Sequence, residues 1–287
     1  MKFVNFIVED QVRLGIQIEK GIVDVKKAAA ANHVDAPTTI EQVIAGGEKC
    51  LSQLAELIKN EVQAIPMEEI VYAPCVTNPE KILCVGLNYT SHGKECNVDI
   101  PATPTLFSKF NNALAAHNQT IRLPKFAEKI DYEAELVIVI GKTASDVTKE
   151  NALSYVFGYS AGNDLSARDL QFRTGQWLLG KSCDQFAPVG PCLVTADEVN
   201  PNNLAIQCEV NGAIRQSANT REMIFDCADI VSYASRYMTL QPGDIIFTGT
   251  PSGVTLGYPE GKQCWLKSGD IVKVSIENIG TLVNVLE

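Results

Sequence analysis

Apolar and polar residues alternate, or apolar residues run together in short blocks, along most of the chain. Residues 2–8, 12–19 and 21–25 follow a period of two, with Glu9-Asp10 and Lys20-Gly21 at the breaks, and predict short antiparallel strands. The period then lengthens. Thr39 with Gln42 three residues on predicts a capped helix, and Gly46-Gly47 closes it. Residues 48–59 predict a second helix with Leu51, Leu54, Leu57 and Ile58 on one face. Pro66, Pro74 and Pro79 punctuate the next stretch and place a boundary near residue 75. The pattern thus divides into a small α+β domain at 1–75, with no chemistry to name, and a larger domain at 76–287.

Strands dominate the larger part. Residues 82–86, 106–110, 130–140, 156–162, 245–248, 271–277 and 281–286 read as strands. Residues 204–211 and 214–216 form a hairpin through Asn211-Gly212, a strong turn signal. Helical patterns are few: a turn and short helix over 146–154, with Ser145 or Asp146 available as its cap, part of 165–171, and an amphipathic stretch at 226–239. Many strands and few long helices predict a β-rich α+β fold and argue against βαβ units.

Composition narrows the function classes. The 287 residues are 46% hydrophobic, enough for a sizeable core, and carry a net charge of −10. The longest basic cluster is Lys26-Lys27, so no stripe exists for nucleic acid. No apolar run approaches the ~18 residues of a membrane span. Glu9 arrives too early for a signal peptide. Nine cysteines lack any Cys-x-x-Cys pair, and the nearest neighbours, Cys75/Cys84 and Cys183/Cys192, fit neither zinc nor a small disulfide framework. Free thiols in a reducing cytoplasm is the reading, and the sequons at Asn88 and Asn118 then carry no meaning.

The candidate chemistry is acidic. Glu133 and Glu135, two apart in the strand 130–140, share a face. Paired carboxylates at the mouth of an apolar strand are costly unless a cation sits between them; two solvated glutamates at a strand end is the competing reading. Asp164, at the end of strand 156–162, adds a third carboxylate on a neighbouring strand end. Such an all-oxygen set favours Mg²⁺ or Mn²⁺, with Ca²⁺ as a substitute. His92 and Glu95 lie at i and i+3 if their segment is helical, a general-base arrangement; an exposed loop with an incidental ion pair is the alternative. Gly93 between them fits a mobile lid. His33 and His117 are expected at the surface. Gly175 to Ser182 matches the P-loop letter for letter. A polar approach, bulky Trp177-Leu178-Leu179 and Pro188, Gly190 and Pro191 downstream argue against nucleotide binding.

Six blocks, taken together, resemble the fumarylacetoacetate hydrolase family over residues 81–280. They are Gly86-x-Asn88-Tyr89-x-x-His92-x-x-Glu95, Phe107-x-Lys109, Asp131-Tyr132-Glu133-x-Glu135-Leu136, Asn163-Asp164-x-Ser166-Ala167-Arg168-Asp169-x-Gln171, Gly180-Lys181-Ser182-x-Asp184 and Thr248-Gly249-Thr250-Pro251-x-Gly253-Val254. The resemblance implies a mixed β-roll, usually a homodimer. It implies Glu133, Glu135 and Asp164 as ligands of Mg²⁺ or Mn²⁺, with Lys181 beside the metal. It implies His92 and Glu95 as the water-activating dyad on a lid, and Arg168, Gln171 and Thr250 facing the ligand. Leu87 departs from the pattern, since related sequences commonly carry Arg or Lys there. The family's breadth leaves the reaction open: C–C hydrolysis of an acylpyruvate-type 2-oxo acid is expected first, then oxaloacetate decarboxylation, or isomerisation or hydration of dienoate intermediates. A scaffold retaining the fold is the non-enzyme alternative.

Overall fold

The computed structural model describes residues 1–59 and 62–287. Its centre is an 11-stranded sheet. The order of its main path is Gly21–Asp24, Gln11–Ile18, Lys2–Val8, Ala187–Thr195, Val156–Asn163, Ala134–Ile140, Ile245–Phe247, Ile82–Gly86 and Thr105–Lys109. Pairing along this path is antiparallel except between Ile245–Phe247 and Ile82–Gly86. The amino-terminal strands extend the same sheet: Lys2 and Phe3 pair with Val194 and Leu193. A second sheet of four strands, Ala213–Asn219, Ala205–Val210, Ile271–Ile276 and Gly280–Val285, includes the predicted hairpin, with Asn211 and Gly212 both at positive φ. Mixed β-rich architecture is therefore what the chain adopts.

The strand Ala134–Ile140 is buried on both faces, which explains its near-continuous apolar run. Leu136, Ile138 and Ile140 join one core cluster with residues of the second sheet such as Ile206 and Val274. Val137 and Val139 join another with Val43, Ile44 and Leu54 of the helical stretch Ile40–Lys59. Only its start is polar, and that start lies at the site.

The two helices predicted on either side of Gly46-Gly47 are both present: the helical stretch Ile40–Lys59 is interrupted at Gly47, whose φ of 53° and ψ of −137° are not helical and suit glycine. Thr39 and Gln42 do form the capping pair. The predicted strand 130–140 is broken: Ile130–Asp131 pairs with Ser166–Ala167, and Tyr132-Glu133 leaves the ladder. The turn and short helix expected over 146–154 are present: the amides of Asp146 and Val147 bond to Ser235, and the helix Lys149–Ala152 follows, with Thr148 rather than Ser145 or Asp146 at its N-cap. No helix among the described residues is long and apolar enough to cross a membrane.

Candidate active site

The break at Tyr132-Glu133 turns the Glu133 backbone toward the end of the neighbouring strand, where its N–H donates to Asn163 Oδ1 at 3.0 Å. Asp164 N–H in turn donates to the Glu133 carbonyl at 3.0 Å. These bonds bring Glu133, Glu135 and Asp164 together, all buried, with one oxygen from each within 4.8 Å of the others. The solvated reading of the glutamates is thereby excluded.

Cations surround two of the three carboxylates. Lys181 Nζ donates to Glu133 Oε2 at 2.5 Å and to Asp164 Oδ2 at 2.8 Å. Arg168 donates to Glu133 Oε1 at 2.7 Å, to Asp131 Oδ2 at 2.9 Å and to Gln171 Oε1 at 2.9 Å. Lys109 Nζ lies 2.6 Å from Asp164 Oδ1 as an ion pair, off the hydrogen-bond direction; its hydrogen bonds go to the carbonyls of Leu165 and Phe186. Glu135 receives only the Gly249 N–H, at 2.6 Å. Four buried carboxylates, Asp131 included, thus meet three buried cations, and Glu135 carries the uncompensated charge. Burial and the neighbouring Asp164 and Glu133 push its carboxyl well above the ordinary range. Burial also works against the charge of Glu133, but Arg168 and Lys181 hold its carboxyl well below that range. A hard divalent cation fits this donor set on both counts: ligand chemistry and missing charge.

The loop after Ile245–Phe247 ties the site together. Gly249 and Gly253 sit at φ of 99° and 106°, conformations open to glycine, and a Cβ on Gly253 would meet the Arg215 carbonyl at 2.0 Å. Gly249 N–H holds Glu135, Gly253 N–H holds Glu95 Oε2 at 2.8 Å, and the amides of Thr255 and Leu256 hold Asp131 at 2.7 and 3.0 Å. Asn88 clasps this loop from the opposite side, donating to the Thr248 and Phe225 carbonyls. Its burial agrees with a sequon that carries no sugar.

His92 lies on the short helix Thr90–Glu95 and is buried. Its Nδ1 is 2.8 Å from Glu95 Oε1, so the helical alternative holds over the exposed loop. Cys96 Sγ lies 3.9 Å from the same nitrogen. Burial alone would lower the imidazole's pKa. The Cys96 and Glu95 contacts and the Glu133 charge outweigh it and raise the value to about 9. His92, Glu95, Glu133, Glu135, Asp164, Lys181, Arg168, Gln171 and Thr250 all line one cavity of about 450 Å³. Its other wall is apolar, with Leu87, Val98, Phe107, Trp177 and Leu256. Thr250 spends its hydroxyl on the Ala134 carbonyl and on Gln216 Nε2, and Arg168 is occupied by Asp131, Glu133 and Gln171.

Among residues given no role from the sequence, Lys109 and Asp131 prove central to the charge network. Asp131 was signalled by its place two residues before Glu133, whereas nothing local marked Lys109. His117 corrects the surface expectation. It is packed edge-on against Tyr72 at 4.6 Å, accepts from Val283 N–H, and burial lowers its pKa to about 4. The P-loop look-alike forms a single helical turn, Leu178–Lys181, whose lysine is buried on carboxylates, and Trp177 packs on Phe107.

Known proteins share this arrangement of sequence and fold. The model of the fumarylacetoacetate hydrolase carboxy-terminal domain matches residues 81–287. A Dictyostelium discoideum protein named fumarylacetoacetate hydrolase domain-containing protein 2 homolog is 43% identical, over 99% of this chain and 96% of its own. The Rattus norvegicus protein named oxaloacetate tautomerase Fahd2a, mitochondrial, is 40% identical over 99% and 91%. The crystal structure of maleylpyruvate hydrolase from Sphingobium sp. SYK-6, in complex with manganese(II) and pyruvate, superposes with a TM-score of 0.81 at 31% identity, covering 100% of this chain and 98% of that one. With a family model spanning most of its length and relatives of this identity along nearly all of it, the chain belongs to the fumarylacetoacetate hydrolase family.

Proposed function

We propose that the chain moves a proton at C3 of a small 2-oxo acid, converting enol to keto form, with oxaloacetate as the substrate of first choice. One observation carries this reading: a buried His92, held by Glu95 at 2.8 Å, lines the same cavity as the Glu133, Glu135 and Asp164 carboxylates. The rat relative's name, oxaloacetate tautomerase, supports the choice of reaction.

Glu133, Glu135 and Asp164 would hold Mg²⁺ or Mn²⁺, and the manganese in the Sphingobium neighbour supports that assignment. Such a cation supplies a Lewis acid that draws electron density from the 2-oxo group. Lys181 remains an ammonium: burial disfavours the charge, but Asp164 and Glu133 more than restore it. Its role is to stabilise negative charge on the keto oxygen when the enol proton leaves. His92 at neutral pH is an imidazolium and donates to C3, while Glu95 stabilises the charged ring; the proton lost from the enol oxygen passes to solvent, from which the imidazole is reprotonated. Arg168 orients Glu133 and Gln171. The apolar wall keeps bulk water away from the charged intermediate.

A second reading, hydrolysis of an acylpyruvate-type C–C bond, is favoured by the cavity itself. At about 450 Å³, with an apolar wall including Leu87 and Trp177, it has room for an acyl tail beyond a four-carbon acid. In that reaction neutral His92 takes a proton from water. Oxaloacetate decarboxylation needs neither proton step from His92. The unpaired cysteines support a reducing compartment, the cytoplasm among them.

The test uses metal-loaded protein with enol-oxaloacetate and, separately, a panel of acylpyruvates. Enol absorbance and released pyruvate are followed together. Rapid loss of enol without pyruvate is expected. Pyruvate released faster from an acylpyruvate would move the assignment to hydrolysis, and inertness toward every compound would overturn both.

A further inference from the structure

The short helix Thr90–Glu95 and its C-cap residue carry a second group of ligating side chains, separate in chemistry from the carboxylate triad. His92, Glu95 and Cys96 stand at i, i+3 and i+4, and one atom from each lies within 4.8 Å of the others. All three line the cavity, so they are reachable from it. We propose that they form an inhibitory site for a thiophilic divalent cation, Zn²⁺ being the natural occupant.

The distances suit zinc. Nitrogen, oxygen and sulfur ligands stand ~2.0–2.3 Å from tetrahedral zinc, which puts ligand atoms roughly 3.3–3.6 Å from one another. Here His92 Nδ1 is 2.8 Å from Glu95 Oε1 and 3.9 Å from Cys96 Sγ, so the first pair must open by about 0.5–0.8 Å and the second close by about 0.3–0.6 Å, within reach of side-chain rotation. The fourth position faces the cavity and is left for water. Ligand type separates this site from the triad: thiolate and imidazole select zinc, whereas three carboxylates suit Mg²⁺ and Mn²⁺. Binding releases two protons to solvent, one from the thiol and one from Nδ1 of the imidazolium.

The consequence for activity rests on the role of His92 proposed above. Zinc on Nδ1 displaces Glu95 from the ring and fixes a proton on Nε2. The imidazole then cycles neither as acid nor as base, and the lid is stapled by a metal that substrate does not displace.

Binding is tested apart from catalysis with Co²⁺, whose thiolate complexes give an intense near-ultraviolet charge-transfer band. The whole protein is titrated as wild type, as Glu133→Gln to weaken the triad, and as Cys96→Ser. A thiolate band is expected in the first two and not in the third. Zn²⁺ inhibition, measured in excess Mg²⁺, should shift at least tenfold to higher concentration in Cys96→Ser. No thiolate band in wild type, or the same inhibition midpoint with and without the thiol, would overturn the site. A thiolate band with no loss of any activity would keep the site and refute the acid–base role of His92.

Discussion

At the scale of single residues, His92 decides between the two reactions through the sign of its pH dependence. Ketonisation needs the imidazolium, so kcat/KM for enol-oxaloacetate is level at low pH and falls as His92 loses its proton. Hydrolysis needs the neutral ring, so the rate for an acylpyruvate rises through the same value. The free side chain titrates at about 9, and a cation on the triad moves this down by compensating the Glu133 charge. A pH–rate profile for each substrate separates the cases. His92→Ala should cost ~10²–10⁴-fold in either reaction and much less in oxaloacetate decarboxylation; an equal loss in all would assign the residue to lid closure. Lys181→Met should remove most turnover, on the order of 10²–10³-fold by analogy with other charge-stabilising donors. Calorimetry with Mn²⁺ should show unchanged or tighter binding for that variant, since a like charge 2.5 Å from Glu133 is gone. Weaker Mn²⁺ binding would make Lys181 a support for the triad. Glu133, Glu135 and Asp164 were legible in sequence because acids at apolar strand ends are costly. Lys109 was not: nothing local shows that its ammonium crosses to Asp164 and the Leu165 and Phe186 carbonyls.

At the scale of elements, the loop 248–256 and the strand Ile130–Asp131 are joined by one side chain. Asp131 accepts from Tyr132, Thr255 and Leu256 amides and from Arg168. Asp131→Ala leaves Arg168 short of a partner in a buried setting, and the expected loss is about 3–5 kcal/mol. Asp131→Asn, which keeps an acceptor oxygen, should lose less. Denaturant unfolding of both variants checks this, and an alanine variant as stable as wild type would contradict the clamp. The elements themselves were mostly legible, because a period of two and turn residues such as Asn211-Gly212 are local signals. The interruption at Tyr132-Glu133 was not. It follows from a tertiary bond, Glu133 N–H to Asn163, that a periodic pattern cannot register.

At the scale of the molecule, the pairing of Lys2–Val8 with Ala187–Thr195 joins the amino-terminal strands to the rest of the sheet through partners nearly two hundred residues apart in sequence. Long-range pairing of this kind leaves no trace in one sequence; the family resemblance covers residues beyond it. The global consequence of the site is electrostatic. A cation that binds the buried carboxylates of the folded state, where Glu135 has no cationic partner of its own, stabilises that state over the unfolded chain. Mn²⁺ at a hundred times its dissociation constant should stabilise the protein by about 2.7 kcal/mol, raising the melting temperature by several degrees, and Glu133→Gln should blunt that rise. The most direct test of the account is the rate of enol-oxaloacetate ketonisation by wild-type protein stripped with chelator and then restored with Mn²⁺. The account predicts a rate indistinguishable from the uncatalysed one in the stripped protein and full recovery as one equivalent of Mn²⁺ binds. Full activity in protein shown to contain no metal would contradict it.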